Sequence, residues 1–360
     1  MRKGAHSPNP KSEHHRTNKS GAERDIFSAH HDRHHRSSAI WRGIRWVTLG
    51  SAVLVTSFFA ARAQDTAVKG GKPAGDSANT AWNWMTKDRD SRLSALDSLL
   101  QVDTGNMQAL WLRAELLAQG SYEERLDALN NFSSLIRLQP GMADAYYGRA
   151  RVLSSMGRDR EALDDYNQAL KLGNNPDSVR DVRFFMAGSL MRLGRADEAL
   201  QHLGWIIQDQ PEWENGAAFV ERGFALLQTG RYELALKDFD QLLRMGSQKT
   251  VWLQDLDLSQ IHYGRGAAWY GLDSYEQAVR EFDLAVQLGP KYADAYFARG
   301  NAKYALKEYA GALADYNKAV ELDPKNAMAF YNRGHALQML GRTQDANGSF
   351  SQAHQLDPKL

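Results

Sequence analysis

The feature that most constrains this 360-residue chain is an internal repeat. The stretch "YFARGNAKYALKEYAGALADYNKAVELDP" at 296–324 is followed, 34 residues later, by "FYNRGHALQMLGRTQDANGSFSQAHQLDP" at 330–358. Small residues recur with spacings of 36, 37, 36, 43, 34 and 34 residues, at Ala114, Ala150, Ala187, Gly223, Gly266, Gly300 and Gly334. Such a period indicates a stack of similar units that bury their apolar faces against one another.

Each unit is predicted to be a helical hairpin. An alanine follows most of these small residues after twelve positions, at Ala162, Ala199, Ala235, Ala278, Ala312 and Ala346, and the first unit has Ala128 two residues later. A bulky residue comes four positions further on, at Phe132, Tyr166, Leu203, Phe239, Phe282, Tyr316 and Phe350. A small residue on one helix lets its partner approach closely, and the bulky residue fills the space beside it.

This pattern, together with a small or apolar residue at position 27 and a closing proline in five units, resembles the tetratricopeptide repeat (TPR). The resemblance implies an all-α fold, a right-handed superhelical solenoid of about seven helix-turn-helix repeats. The repeats are framed at 107–140, 143–176, 180–213, 216–249, 259–292, 293–326 and 327–360. A packing helix within 82–106 is expected to precede this TPR domain of 107–360.

The resemblance also implies a binding groove, lined by the first helix of each repeat at positions 2, 5, 9, 12 and 13. Position 5 is aromatic in six of seven repeats. The predicted partner-binding residues are Trp111, Tyr147, Phe184, Phe224, Tyr263, Tyr270, Phe297, Asn301, Tyr304, Tyr331, Asn332 and His335. An aromatic groove with amide and imidazole groups suits an extended peptide or a partner helix, although rings at position 5 also serve packing within such repeats.

A second regularity concerns charge. Position 7 is arginine in six repeats, at Arg113, Arg149, Arg222, Arg265, Arg299 and Arg333. Position 23 is acidic in four of these, at Asp165, Asp238, Glu281 and Asp315, whereas the repeat without the arginine has Met186 and His202. This linked variation predicts an arginine–carboxylate bond between the two helices of a hairpin, with a ladder for anionic ligands as the alternative.

The last repeat differs from the others on the face that would meet a following repeat. Positions 21 and 28 are apolar in the first six repeats, but they are Asn347 and His354 in the last one. A terminal repeat has no neighbour there, so polar residues are predicted to keep that end soluble.

Composition argues against several classes of function. The chain has no cysteine, which excludes disulfides, thiolate metal sites and a cysteine nucleophile. After residue 63 there are 33 basic and 39 acidic residues, a poor match to a phosphate backbone. No enzyme motif is found, so we expect no catalysis, cofactor, metal, nucleic acid or small-molecule substrate.

The first 63 residues are interpreted as targeting sequence. Residues 1–45 form a basic, histidine-rich leader expected to be disordered. Residues 46–61 contain no charge, and Ala61-Arg62-Ala63 has the small-x-small pattern of a signal-peptide cleavage site. We expect a bacterial exported protein, periplasmic or secreted, cleaved after Ala63 and continuing through a flexible linker at 64–81. The alternative is an uncleaved segment 46–61 that anchors the chain in the inner membrane.

The function expected from the sequence is a non-catalytic protein–protein interaction scaffold in the cell envelope, binding a peptide or partner helix in the concave groove. Two alternatives are a membrane-tethered assembly factor held by segment 46–61, and a module that binds glycan or peptidoglycan fragments.

Overall fold

The computed structural model describes residues 88–173, 175–209, 216–247 and 257–360, and these residues form fifteen α-helices and no strand. The first eight are α1 (Arg89–Val102), α2 (Met107–Leu117), α3 (Tyr122–Leu138), α4 (Ala143–Ser155), α5 (Asp159–Leu172), α6 (Pro176–Arg192), α7 (Ala196–Asp209) and α8 (Gly216–Gln228). The others are α9 (Tyr232–Ser247), α10 (Leu258–Gly271), α11 (Tyr275–Leu288), α12 (Ala293–Ala305), α13 (Tyr309–Leu322), α14 (Ala327–Met339) and α15 (Thr343–Leu356). The predicted leader 1–45, the segment 46–63, the linker 64–81 and the insert near Trp252 lie outside the described residues.

The helices that follow α1 pair in chain order as hairpins, from α2 with α3 to α14 with α15. The second helix of each hairpin also contacts the first helix of the next one, and α1 packs against α2. The main contacts between the described helices are therefore local in the chain, as expected for a repeat protein. The predicted all-α repeat solenoid is confirmed.

Polar side chains cap several of the helix starts, whereas α4, α5, α11, α12, α13 and α15 begin without a side-chain cap. The Asn106 side chain accepts a hydrogen bond from the backbone N–H of Ala109 at 3.0 Å, and Asn326 accepts from Ala329 in the same way. At the start of α3, Ser121 and Glu124 form a reciprocal capping box. These caps satisfy backbone donors that have no partner within the helix, and they fix the starts of the helices that carry them.

Six of the seven described hairpins have a residue with a left-handed backbone in the turn between their two helices. Four hairpins place a glycine there, with φ of 76°, 73°, 72° and 76° at Gly157, Gly194, Gly230 and Gly341. The hairpins of α10 and α12 place Asp273 (φ 58°) and Lys307 (φ 64°) at the same point. Because a Cβ atom disfavours this conformation, these two turns carry a local strain of about 1 kcal/mol.

The interior of the later hairpins depends on the predicted pairing of a small with a bulky residue. A Cβ atom added to Gly300 would lie 2.7 Å from the ring of Tyr316, and one on Gly334 would lie 2.5 Å from the ring of Phe350. Gly223 and Gly266 approach Phe239 and Phe282 as closely. The two helices of these hairpins are therefore closer than alanine would allow.

Candidate functional site: the surface of the first helices

The first helices of neighbouring hairpins contact one another, α4 with α6, α6 with α8, α8 with α10, α10 with α12, and α12 with α14. The second helices of neighbouring hairpins make less contact with each other within the described residues. Neighbouring hairpins therefore lie closer together along their first helices than along their second helices, and side chains of the first helices form one surface. We call the residues of α2, α4, α6, α8, α10, α12 and α14 at positions 2, 5, 6, 9, 12 and 13 the inner surface.

Most of the predicted aromatic residues on this surface also pack against a ring of the second helix. The ring centroids lie 5.5 Å apart for Trp111 and Phe132, 6.4 Å for Tyr147 and Tyr166, 5.4 Å for Phe224 and Phe239, 5.9 Å for Tyr263 and Phe282, and 5.6 Å for Tyr331 and Phe350. Phe184 contacts Phe185, Tyr270 contacts Tyr275, and Tyr304 contacts Tyr309. These rings are half-buried, so they both stabilise the hairpin and present an edge to solvent.

The structure corrects the prediction at three positions. The side chains of Phe297, Asn301 and Asn332 are only 1%, 4% and 2% exposed. Phe297 packs against the ring of Tyr316, with centroids 6.0 Å apart. Asn301 Oδ1 accepts hydrogen bonds from Tyr316 Oη at 2.8 Å and from Asn332 Nδ2 at 2.9 Å. These side chains therefore join helices α12, α13 and α14 instead of lining an open groove, because buried amides must find partners.

His335 lies between two rings, with its ring centroid 4.6 Å from Tyr331 and 5.0 Å from Phe350. Burial lowers the pKa of His335, so this imidazole is neutral near pH 7. It therefore acts as a packing residue with one polar edge.

The predicted arginine–carboxylate bonds are confirmed in all four repeats. Arg149 Nε and Nη2 each donate to Asp165 at 2.7 Å, and Arg222 donates to Asp238 at 2.7 and 2.6 Å. Arg299 binds Asp315 in the same bidentate way, and Arg265 forms an ion pair with Glu281 at 3.0 Å. In the repeat without this arginine, His202 Nδ1 lies 3.1 Å from Arg183 Nη1 instead.

The same arginines also reach the preceding hairpin, which the sequence analysis missed. Arg299 Nη1 lies 2.7 Å from Asp283, Arg265 Nε lies 3.0 Å from Asp240, and Arg149 Nη1 donates to Ser133 at 3.1 Å. The contacted residue directly follows the bulky residue of the preceding repeat. The arginine ladder is thus a structural link both within and between hairpins, and its donors are used by the chain itself.

A group of carboxyl groups on the inner surface was also missed. Burial raises the pKa of Asp144, Asp181 and Asp294, which all occupy position 2, and raises the pKa of Glu221 at position 6 to about 7. Elsewhere hydrogen bonds lower the carboxyl pKa, as the backbone N–H of Ser121 does for Glu124. Desolvation outweighs the attraction of Arg151 and Arg180 at Asp181 and of Arg192 at Glu221, and this explains the contrast. The signal in the sequence was the aspartate that recurs six residues before the small residue.

Two arginines lie among these carboxyl groups. Arg151 lies over the rings of Tyr147 and Phe185, at 5.5 and 5.6 Å from their centroids, and its Nη1 is 3.8 Å from Glu115. Arg192 binds Asp159 at 2.9 and 2.6 Å. The inner surface therefore already holds a guanidinium group against aromatic faces, an arrangement that is favourable for a cation.

A cavity lined by Ala143, Asp144, Tyr147 and Val182 has a volume of about 10 Å³, room for one water molecule. No cluster of three potential metal ligands occurs among the described residues. None of the described helices is long and apolar enough to cross a membrane.

The fold defines a class, the repeat proteins built from stacked helical hairpins. Sequence models described as "Tetratrico peptide repeat", "Tetratricopeptide repeat" and "TPR repeat" match residues 143–243, 221–293 and 300–341. The chain is a tetratricopeptide repeat protein.

Similar proteins share this repeat. Human tetratricopeptide repeat protein 6 is 25% identical over 174 residues, which cover 48% of this chain and 31% of that protein. Tetratricopeptide repeat protein 36 of Xenopus tropicalis is 31% identical over 125 residues, 34% of this chain and 58% of that protein. This chain thus matches only part of each curated relative. A solved tetratricopeptide repeat protein from Parabacteroides merdae shares the fold at 20% identity, with a TM-score of 0.54 over 68% of this chain and 94% of its own.

Proposed function

We propose that this protein is a non-catalytic scaffold that binds an extended peptide or a helix of a partner protein on its inner surface. The observation that carries the proposal is the continuous contact between successive first helices, which brings half-buried rings and polar groups of several repeats onto one surface. Such a surface offers many small contacts in a row, which suits a chain segment better than a metabolite.

The arginine ladder does not compete with this function, because its guanidinium groups are bound to carboxylates of the chain. It holds the first helices in register instead. The binding chemistry then depends on the remaining side chains of the inner surface, which vary from repeat to repeat.

The experiment that tests this proposal is affinity capture from the cell envelope of the source organism with matched surface variants. Ser155 and Gln338 are exposed at inner positions, and Gln168 and Gln352 are exposed on second helices. Each is replaced by tryptophan, which blocks a surface without opening the core. We expect the partner to be lost with Ser155→Trp or Gln338→Trp and kept with Gln168→Trp and Gln352→Trp. Loss only in the second-helix pair would overturn the assignment of the inner surface.

We further propose that the scaffold works in the cell envelope. The uncharged segment 46–61 and the Ala61-Arg62-Ala63 pattern support export with cleavage, since both match a signal peptide. The intact mass of the protein isolated from cells tests this. We expect a chain that starts at Gln64. A chain that retains residues 46–61 would instead support the alternative, an uncleaved segment that anchors the protein in the membrane.

A further inference from the structure

The helix α1 has the length and the register of a second helix, although no first helix precedes it within the described residues. It is 14 residues long, as are α5, α7, α11, α13 and α15. Its buried Leu96 comes seven residues after the helix start, as Tyr166 does in α5 and Phe282 in α11. Leu96 therefore holds position 24, the position of the bulky residue of a repeat.

The contacts that α1 makes with the next hairpin are also those of a second helix. Arg113 Nε on α2 donates to Asp97, the residue after Leu96, at 2.6 Å, which is the link that Arg299 makes to its own preceding hairpin. After α1, Asp103 Oδ1 accepts a hydrogen bond from the backbone N–H two residues later, as Asp323 does after α13. We conclude that α1 is the second helix of a hairpin.

One face of α1 lacks the cover that this face has in the other second helices. Position 27 of α1 is Leu99, which is 51% exposed. The seven other residues at position 27 are at most 5% exposed, and they are Leu135, Ala169, Ile206, Leu242, Ala285, Ala319 and Ala353. Ala169 lines a small cavity together with Ala143 and Tyr147 of the first helix α4. Leu99 is therefore exposed on the side where a first helix packs in the other hairpins.

A polar group on the same face also lacks a partner. Arg92 holds position 20, where the seven other second helices have alanine, and its buried Nε has no hydrogen-bond partner within the described residues. The helices of a hairpin are antiparallel and position 24 packs beside position 8, so position 20 lies beside the last turn of the first helix. The last four carbonyl groups of a helix have no partner within it, and they are suitable acceptors for Arg92.

The sequence directly before α1 has the pattern of a first helix. Four apolar residues there are spaced i, i+3, i+4 and i+7, which places them on one helical face, and they are Ala78, Ala81, Trp82 and Met85. Asp76 and Ser77 precede them and are residue types that cap helix starts. A helix that ends at Met85 leaves three residues before α1, the connection found in six of the seven described hairpins.

The residues of this connection match a described turn. Lys87 and Asp88 come directly before α1, as Lys307 and Glu308 come directly before α13. Lys307 has the left-handed backbone that the turn of that hairpin uses. The sequence before α1 is therefore compatible with the same kind of hairpin turn.

We propose that residues 76–85 form the first helix of an eighth hairpin and dock on the face of α1 that carries Arg92 and Leu99. The occupant belongs to the same chain, because a connection of three residues gives this segment a far higher local concentration at α1 than a second molecule has. The flexible linker predicted at 64–81 then ends at Gly75. Trp84 then holds position 12, the position of Tyr270 and Tyr304, and the inner surface gains one more helix.

Cross-linking of cysteine pairs in the full chain tests this proposal, and the natural sequence contains no cysteine that could interfere. The pair is Ser77→Cys with Leu99→Cys, whose positions correspond to those of Tyr147 and Ala169. The control is Ser77→Cys with Gln101→Cys, since Gln101 is exposed and lies two residues later, on the opposite side of α1. With a short bismaleimide, we expect the Leu99 pair to link within one chain at least about fivefold more than the control.

Hydrogen exchange measured by mass spectrometry gives a second readout. We expect the backbone amides of 78–85 to be protected, and Leu99→Lys to speed their exchange by about tenfold or more. The control is Val102→Lys, because Val102 is 91% exposed and holds position 30, where Leu288 is also exposed in its own hairpin. Both substitutions are at exposed side chains of one helix, and circular dichroism checks that both variants are folded.

Three results would overturn the inference. Equal cross-linking of the two cysteine pairs would show that the segment has no preferred position on α1. Unprotected amides at 78–85 in the unaltered chain would show that no helix is docked there. Cross-linking between two chains through the single variant Leu99→Cys would assign this face to a second copy of the protein instead.

Discussion

Arg149 on α4 donates two hydrogen bonds of 2.7 Å to the carboxylate of Asp165 on α5, sixteen residues later. Asp165 raises the pKa of the Arg149 guanidinium, first through this hydrogen bond. The Asp165 side chain is 8% exposed and the Arg149 side chain is 26% exposed. Water therefore has little access to the carboxylate and only partial access to the guanidinium group. An equivalent ion pair links the first and second helix of three other hairpins.

Asp165→Ala is expected to destabilise the protein by about 2–3 kcal/mol, because it leaves a largely buried guanidinium group without its carboxylate. The matched control is Glu161→Ala, which breaks the exposed pair between Arg158 and Glu161 and is expected to change stability by less than about 0.5 kcal/mol. Urea unfolding monitored by circular dichroism measures both. Similar effects of the two substitutions would show that the buried pair has no special role.

Gly300→Ala is expected to destabilise by about 1–3 kcal/mol, because the new methyl group would overlap the ring of Tyr316. Gly348→Ala is the control within α15, where the added Cβ atom meets no other group within 4 Å. That change is expected to stabilise the protein by about 0.5–1 kcal/mol through helix propensity. Opposite shifts of Tm in thermal unfolding are therefore predicted, and a stabilising Gly300→Ala would refute the close packing.

Lys307→Gly is expected to stabilise the protein by about 1 kcal/mol, since glycine adopts the left-handed backbone of this turn without strain. Gly341→Ala in the equivalent turn of the next hairpin should destabilise by a similar amount. Thermal unfolding of both variants checks the pair. A loss of stability in Lys307→Gly would mean that its side chain contributes more than its backbone costs.

The raised pKa of Glu221 predicts a pH effect on stability. Its usual pKa is 4.5 and the folded value is about 7, because burial outweighs the opposing effect of Arg192. The unfolded chain therefore loses this proton at lower pH than the folded chain does, and stability falls as the pH rises from about 4.5 to about 7. Glu221→Gln should leave the urea midpoint unchanged near pH 4 and raise it at pH 8. An equal midpoint difference at both values would contradict the shift.

The last hairpin predicts an effect on association. Asn347 and His354 are exposed on α15, at positions that are apolar in the other repeats. Asn347→Leu with His354→Val should create an apolar face on the last hairpin and promote end-to-end association of two chains, because the other repeats bury this face against a neighbouring repeat. Light scattering after gel filtration measures the mass, and an unchanged mass would show that the polar pair does not prevent stacking.

Much of the fold followed from the sequence because a repeat displays each constraint several times. The pairing of Gly300 with Tyr316 was predicted from spacing, and that of Arg149 with Asp165 from the linked variation of two positions between repeats; both contacts are present. Local pairs of this kind depend only on the geometry of one hairpin.

The chemistry of the inner surface was predicted less well from the sequence. Asn301 and Asn332 occupy groove positions in the repeat pattern, but a hydrogen bond from the Tyr316 hydroxyl draws Asn301 into the interior. The raised pKa of Glu221 was not visible either, since it depends on how deeply the folded chain buries this carboxyl group. Burial and pairing across repeats are set by tertiary packing, and spacing along one helix does not report them.

The most direct test of the central claim is photocrosslinking in the source cells. A benzoyl-phenylalanine residue is placed at Ser155 or Gln338 on the inner surface, or at Gln168 or Gln352 on second helices, all exposed positions. Light should couple the same partner protein to both inner positions and leave the other two without it. A partner coupled from Gln168 and Gln352 but not from Ser155 and Gln338 would contradict the assignment of the inner surface as the binding site.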